Sequence, residues 1–134
     1  NDYITKLTYS TEAISVLGAT LWYPIQFVYG MLNSGVAGYF SGGSYNDGGW
    51  LVSNKYDKLT YSSETTATLA ATMSTARYEG AGMADSGVAG YVMGGYSETT
   101  CDKLDFSTDT NSALAEGLSV NRQRSGGYAN CESL

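Results

Sequence analysis

The chain has 134 residues, enough for one domain with a real core, and 43% of them are apolar against 15% charged, a balance that excludes disorder. Gly at 17, Tyr at 12 and a single Pro suit short strands joined by tight turns and suit helices badly. The net charge is −6, and no cationic cluster is denser than Arg122 with Arg124; a nucleic-acid surface needs several converging cations and is excluded.

In chain order, Tyr3 to Tyr9 predicts a strand, followed by a Ser/Thr/acidic turn at Glu12 and a strand carrying Leu17. No charged leader with an apolar core is expected, and the start at Asn1 reads as a mature product, a fragment or an incomplete source. Ala13 to Met31 is the most apolar stretch. Gly18, Pro24, Gln26 and Gly30 interrupt it, so no membrane insertion is expected. Val36 to Ser41 is an apolar run ending at Gly42-Gly43, the pattern of a strand buried on both faces. A long loop, Gly42 to Tyr56, leads to a strand at Lys58-Leu59-Thr60-Tyr61, an acidic turn at Glu64 and a strand carrying Leu69 and Met73.

After Arg77 the order repeats. Glu79 to Ala84 predicts a Gly-rich first strand and Asp85-Ser86-Gly87 a tight turn in which Gly supplies positive φ. Val88 to Met93 predicts the second, buried strand, ending at Gly94-Gly95. Cys101 to Phe106 alternates, with Leu104 and Phe106 facing one side and Lys103 and Asp105 the other. A turn at Asp109 precedes a fourth strand placed on Leu114 and Leu118, and Ser125 to Ala129 predicts another first strand.

This is an internal repeat. Ser34-Gly35-Val36-Ala37-Gly38-Tyr39 returns 52 positions later as Ser86-Gly87-Val88-Ala89-Gly90-Tyr91, and Lys6-Leu7-Thr8-Tyr9-Ser10 returns as Lys58-Leu59-Thr60-Tyr61-Ser62. An offset of 45 then carries Asp57-Lys58-Leu59 onto Asp102-Lys103-Leu104 and Arg77 onto Arg122. The difference sits in the longer loop after Gly42-Gly43.

At Arg77, Gly80, Gly82, Tyr91, Gly94, Gly95, Leu104, Phe106 and Leu114 the sequence resembles the kelch repeat. It departs where Leu69 or Leu114 stands near the place of the family's fourth-strand Trp, and where Trp22-Tyr23-Pro24-Ile25 replaces the segment that would carry an Arg. The wording of the repeats is most similar to kelch-type repeats of phage virion proteins, particularly of aquatic phages (cyanophages). The resemblance implies an all-β fold of β-propeller blades, each of four antiparallel strands. About two and two-thirds blades are expected: a partial blade over 1–22, blades over 23–74 and 75–119, and a partial blade over 120–134. Such a segment leaves blade faces bare, so other copies of itself or the rest of a longer chain are expected to complete the ring, and the isolated product is expected to self-associate.

The resemblance further implies a non-enzymatic structural or binding role. The leading expectation is a virion surface component, in tail or capsid, that contacts partner proteins or host glycans; the alternative is a secreted or cell-surface lectin-like module. A cytoplasmic adaptor ranks third. Tyr45, Asn46, Asp47 and Trp50 in the long loop are the candidate binding residues, because exposed aromatics beside amides and carboxylates suit sugar rings or a partner surface. The bland alternative is a turn at Asn46-Asp47-Gly48-Gly49 with Trp50 packed on a neighbouring blade. Gly42, Gly43, Gly94, Gly95, Arg77 and Arg122 recur by position and read as structural, the arginines by bonding or stacking between blades. Glu12, Glu64 and Asp109 read as solvated turn acids. His is absent and two cysteines cannot complete a tetrahedral site, so no metal or other cofactor and no catalytic residue is expected; kelch relatives of the galactose oxidase type hold copper with His and Tyr. Cys101 and Cys131 are expected as free thiols, on opposite faces of the ring.

Overall fold

The computed structural model describes residues 2–127 and the backbone of 129–130. These residues contain no helix and form thirteen strands: β1 (Tyr3–Thr8), β2 (Ala13–Thr20), β3 (Tyr29–Asn33), β4 (Ala37–Ser41), β5 (Ser44–Asn46), β6 (Trp50–Val52), β7 (Lys55–Thr60), β8 (Thr65–Thr72), β9 (Ala81–Asp85), β10 (Ala89–Met93), β11 (Cys101–Asp105), β12 (Thr110–Ala113) and β13 (Ala129–Asn130). β1 and β2 form an antiparallel pair. A first sheet has the order β3-β4-β7-β8, and a second has β9-β10-β11-β12 with β13 added along β9. The protein is all-β, and each sheet has the up-and-down antiparallel order expected of a blade.

The strand expected over Ser125 to Ala129 is instead Ala129–Asn130, residues 125–127 being outside any strand, and two other boundaries differ from expectation for local reasons. Val36 and Val88 are not buried strand residues. Each donates its N–H back across the turn, to the carbonyls of Asn33 and Asp85 at 3.0 Å, and they are 52% and 50% exposed. The strands therefore start at Ala37 and Ala89, once Gly35 and Gly87 have supplied φ of 71° and 82°. The last full unit's fourth strand ends at Ala113. Leu114 and Leu118 lie beyond it, Leu114 exposed and Leu118 anchored by its N–H on the Thr99 carbonyl at 2.7 Å. Cys101 is buried; Cys131 lies outside the described residues, and the expectation about the pair with it.

The core lies between the two sheets. Tyr29, Met31, Tyr39 and Tyr56 of the first meet Ala84, Val92, Leu104 and Phe106 of the second. The Tyr39 ring stacks on Phe106 at 4.8 Å and 13°. Close approach requires glycine at one recurring position: a Cβ on Gly82 would overlap the Gly30 backbone, and one on Gly127 would overlap the Gly82 carbonyl. First strands of successive units thus lie side by side, and β13 pairs with β9 in parallel.

Polar pairs rim this interface. The Lys58 ammonium lies 2.7 Å from the Asp109 carboxylate, which also accepts from the Tyr39 hydroxyl at 3.2 Å. One unit earlier Lys6 pairs with Glu64. Glu64 and Asp109 are therefore not merely solvated turn acids. They sit at φ of 53° and 52° and pair with a lysine of the preceding unit. The Tyr56 hydroxyl donates to the Asn111 side chain at 2.8 Å across the same boundary.

Candidate functional site: an aromatic end face

In an up-and-down sheet the loop between second and third strands leaves from the same end as the connection to the next unit. Here the double glycines mark that end. Gly42 and Gly94 hold φ of 61°, and Gly43 and Gly95 hold 95° and 128°, conformations closed to most side chains. The Gly43 N–H donates to the Arg77 carbonyl at 2.9 Å and the Gly95 N–H to that of Arg122 at 2.7 Å. Each double glycine thus docks the connection leading into the following unit.

Arg77 and Arg122 share this backbone role and differ in their side chains. The Arg77 guanidinium is fully buried against the equally buried Asp102 carboxylate. It also donates to the Thr100 carbonyl at 2.5 Å. Asp102 further accepts from the Ser74 N–H at 3.1 Å, the Ser74 hydroxyl at 2.9 Å and the Asn111 amide at 2.8 Å. Arg122 is exposed and does not repeat this burial. Sequence reasoning finds Arg77 by its recurrence and misses Asp102, whose recurrence as Asp57 is the available signal. Among the described residues no arginine pairs with Asp57; it is buried and accepts from the Trp22 N–H at 2.8 Å and the Thr68 hydroxyl at 2.6 Å.

The loop expected over Gly42 to Tyr56 is a hairpin. β5 and β6 pair antiparallel, Tyr45 opposite Leu51 and Asn46 opposite Trp50. Asp47, Gly48 and Gly49 form the bend, with Gly48 at φ 70° and the Asp47 N–H on the Gly49 carbonyl at 3.2 Å. Its base is tied down twice. Ser44 and Gln26 exchange backbone hydrogen bonds of 2.8 Å, and the Ser53 N–H donates to the Gly43 carbonyl at 2.9 Å.

An aromatic cluster buttresses the hairpin. Tyr45 lies 5.1 Å from Trp22, edge to face, and 5.0 Å from Tyr23. The Lys55 ammonium caps Trp22 at 5.0 Å from the ring centre, a cation–π contact. The Tyr23 hydroxyl reaches the Asn46 carbonyl at 3.5 Å; partial burial, then the Asp47 charge, push its pKa above the ordinary phenol value. The four candidate residues are thus brought together, with unlike roles. Tyr45 is half-buried and braces the hairpin, while Asn46, Asp47 and Trp50 are exposed, Trp50 to 56%. Trp50 does not pack into a neighbouring unit.

A second aromatic row shares this end. Tyr78 and Tyr96 stack at 5.4 Å and 15°, with Phe27 6.3 Å from Tyr78. Tyr96 follows Gly94-Gly95 as Ser44 follows Gly42-Gly43, and its N–H donates to the Tyr78 carbonyl at 2.9 Å. Chemically, the end face offers apolar ring surfaces beside an amide and a carboxylate. Among the described residues, no group of three or more His, Cys, Asp or Glu is placed to hold a metal.

No family model and no curated protein matches the sequence. The fold does have solved counterparts. A structure titled "Structure of YjhT" superposes with a TM-score of 0.73 over 90% of this chain, at 15% identity. The chain spans 46% of that protein.

Proposed function

We propose that this chain is a non-enzymatic binding module made of propeller blades, set at a virion surface, whose aromatic end face engages a partner protein or a host glycan. One observation carries the reading. Trp50 is exposed on a hairpin whose base is held by four backbone hydrogen bonds, counting the Gly42 N–H on the Lys55 carbonyl at 3.0 Å, so a large apolar ring is presented at little ordering cost. Asn46 directly opposite, and Asp47 beside it, supply the polar groups that sugar hydroxyls or a partner backbone need. The virion setting rests on the likeness of the repeats to phage kelch-type sequences.

The test is binding of the wild-type chain and of an Asp47→Ala/Trp50→Ala variant to arrayed glycans and to candidate partner proteins. Binding should fall at least tenfold, about 1.4 kcal/mol, while the melt stays within about 0.5 kcal/mol of wild type, as for exposed substitutions. Loss of the fold, or unchanged binding by the variant, overturns the reading.

A further inference from the structure

The boundary between units is built from a giving face and a receiving face. The giving face of the first sheet presents Met31, Tyr39, Tyr56 and Lys58; the receiving face of the second presents Leu104, Phe106, Asp109 and Asn111. The repeat places a second giving face on the far side of the second sheet, where Met83, Tyr91, Cys101 and Lys103 occupy the same four positions. Met31 and Tyr39 are buried, whereas Met83, Tyr91 and Lys103 remain partly exposed, and no ion pair engages Lys103 among the described residues.

The first strand pair carries an open receiving face. Leu7, Tyr9, Glu12 and Ile14 stand at the positions of Leu104, Phe106, Asp109 and Asn111. Glu12 has the same backbone as its two paired equivalents, φ 54°. Tyr9 is 88% and Ile14 72% exposed, large apolar surface of a kind that marks a contact.

We infer that the far face of the second sheet docks the first strand pair of a second copy of this chain, pairing Lys103 with Glu12 of that copy. The inference rests on the propeller-blade reading above and adds the contact itself. Charge complementarity supports it, since a lysine at this position meets a turn carboxylate at both boundaries within the chain. The tyrosine–asparagine pair of the boundary is lost from both sides. Cys101 replaces Tyr56 and Ile14 replaces Asn111, so the docked faces leave no hydroxyl or amide unmatched there. Thr5 stands where Asp102 does, so Arg122 gains no counter-ion, and the electrostatic part of the contact is Lys103 with Glu12.

The test is analytical ultracentrifugation of the 134-residue chain across concentration. The wild type should self-associate. Lys103→Glu and Glu12→Lys should each weaken association about tenfold or more by opposing like charges. An equimolar mixture of the two should restore it, because the acid introduced in one variant then meets the lysine introduced in the other. Far-UV spectra and melts confirm that each variant is folded; if either reversal is not, Lys103→Gln and Glu12→Gln replace them, each weakening association more modestly. A monomeric wild type, reversals without effect, or no rescue on mixing overturns the inference. None of these outcomes bears on glycan or partner binding by the end face, which is scored by the Asp47→Ala/Trp50→Ala variant.

Discussion

Arg77 and Asp102 make a fully buried ion pair although Arg77 belongs to the connection leaving the first sheet and Asp102 to the third strand of the second. The pair locks one unit to the next, because the backbone of Arg77 binds Gly43 and Ser53 while its side chain enters the following sheet. Breaking one partner strands a charge in the core. Asp102→Ala or Arg77→Ala should cost about 3–5 kcal/mol in denaturant unfolding. Asp57→Asn should cost under about 1 kcal/mol, since Asp57 has only a backbone N–H and a hydroxyl to satisfy and an amide serves both.

Burial along the second strand is sharply positional. Val92 is completely buried and Val88 half exposed. Val92→Arg should abolish or severely weaken the fold, through an unpaired charge in a packed interface. Val88→Arg should shift stability by about 0.5 kcal/mol or less. Equal melting temperatures for the two would contradict the register.

The glycine stack makes a comparable contrast. Gly82→Ala forces a methyl group into the Gly30 backbone, while Gly18 has nothing within 4 Å of its would-be Cβ and lies in β2. The first substitution should cost about 1–3 kcal/mol or more. The second should be neutral or stabilising, because alanine restricts the unfolded chain.

Alkali should unfold the protein through its buried phenols. Burial raises the Tyr29 pKa from 10.0 to about 12 and that of Tyr56 further still. A folded pKa above the unfolded one means that the native state holds its proton more tightly. That stabilisation is complete below pH 10 and is lost as pH rises towards about 12. Denaturant midpoints should fall across that window, and a late phenolate absorbance phase should accompany unfolding. A Tyr29→Phe variant, which has no proton there to lose, should be less sensitive to pH.

Much of this is legible in the residues. The two offsets define the units, and with them the four-stranded order and the recurring glycines. Val36 and Val88 mislead because an apolar residue that closes a hairpin turn looks, in one dimension, like the first residue of its strand. The hairpin within Gly42 to Tyr56 shows in the sequence as turn chemistry only, its two strands being three residues each, too short to display alternation. Glu64 and Asp109 look solvated because their lysines lie 58 and 51 residues earlier, a distance across which only the folded chain makes neighbours. Trp50 stands in the open, one of the two placements its loop allows on sequence alone. The aromatic row of Phe27, Tyr78 and Tyr96 escapes sequence reasoning, its members being scattered over three loops.

Within each unit, the lysine and the turn carboxylate lie on opposite sides, one facing the next unit and the other the preceding one. Two copies related by a two-fold axis through one of these faces would set lysine against lysine or acid against acid. Contacts of this kind are heterologous, so an assembly built from them has a direction. It ends either in a closed cycle or in an open helical filament, and the rotation from one unit to the next decides between them.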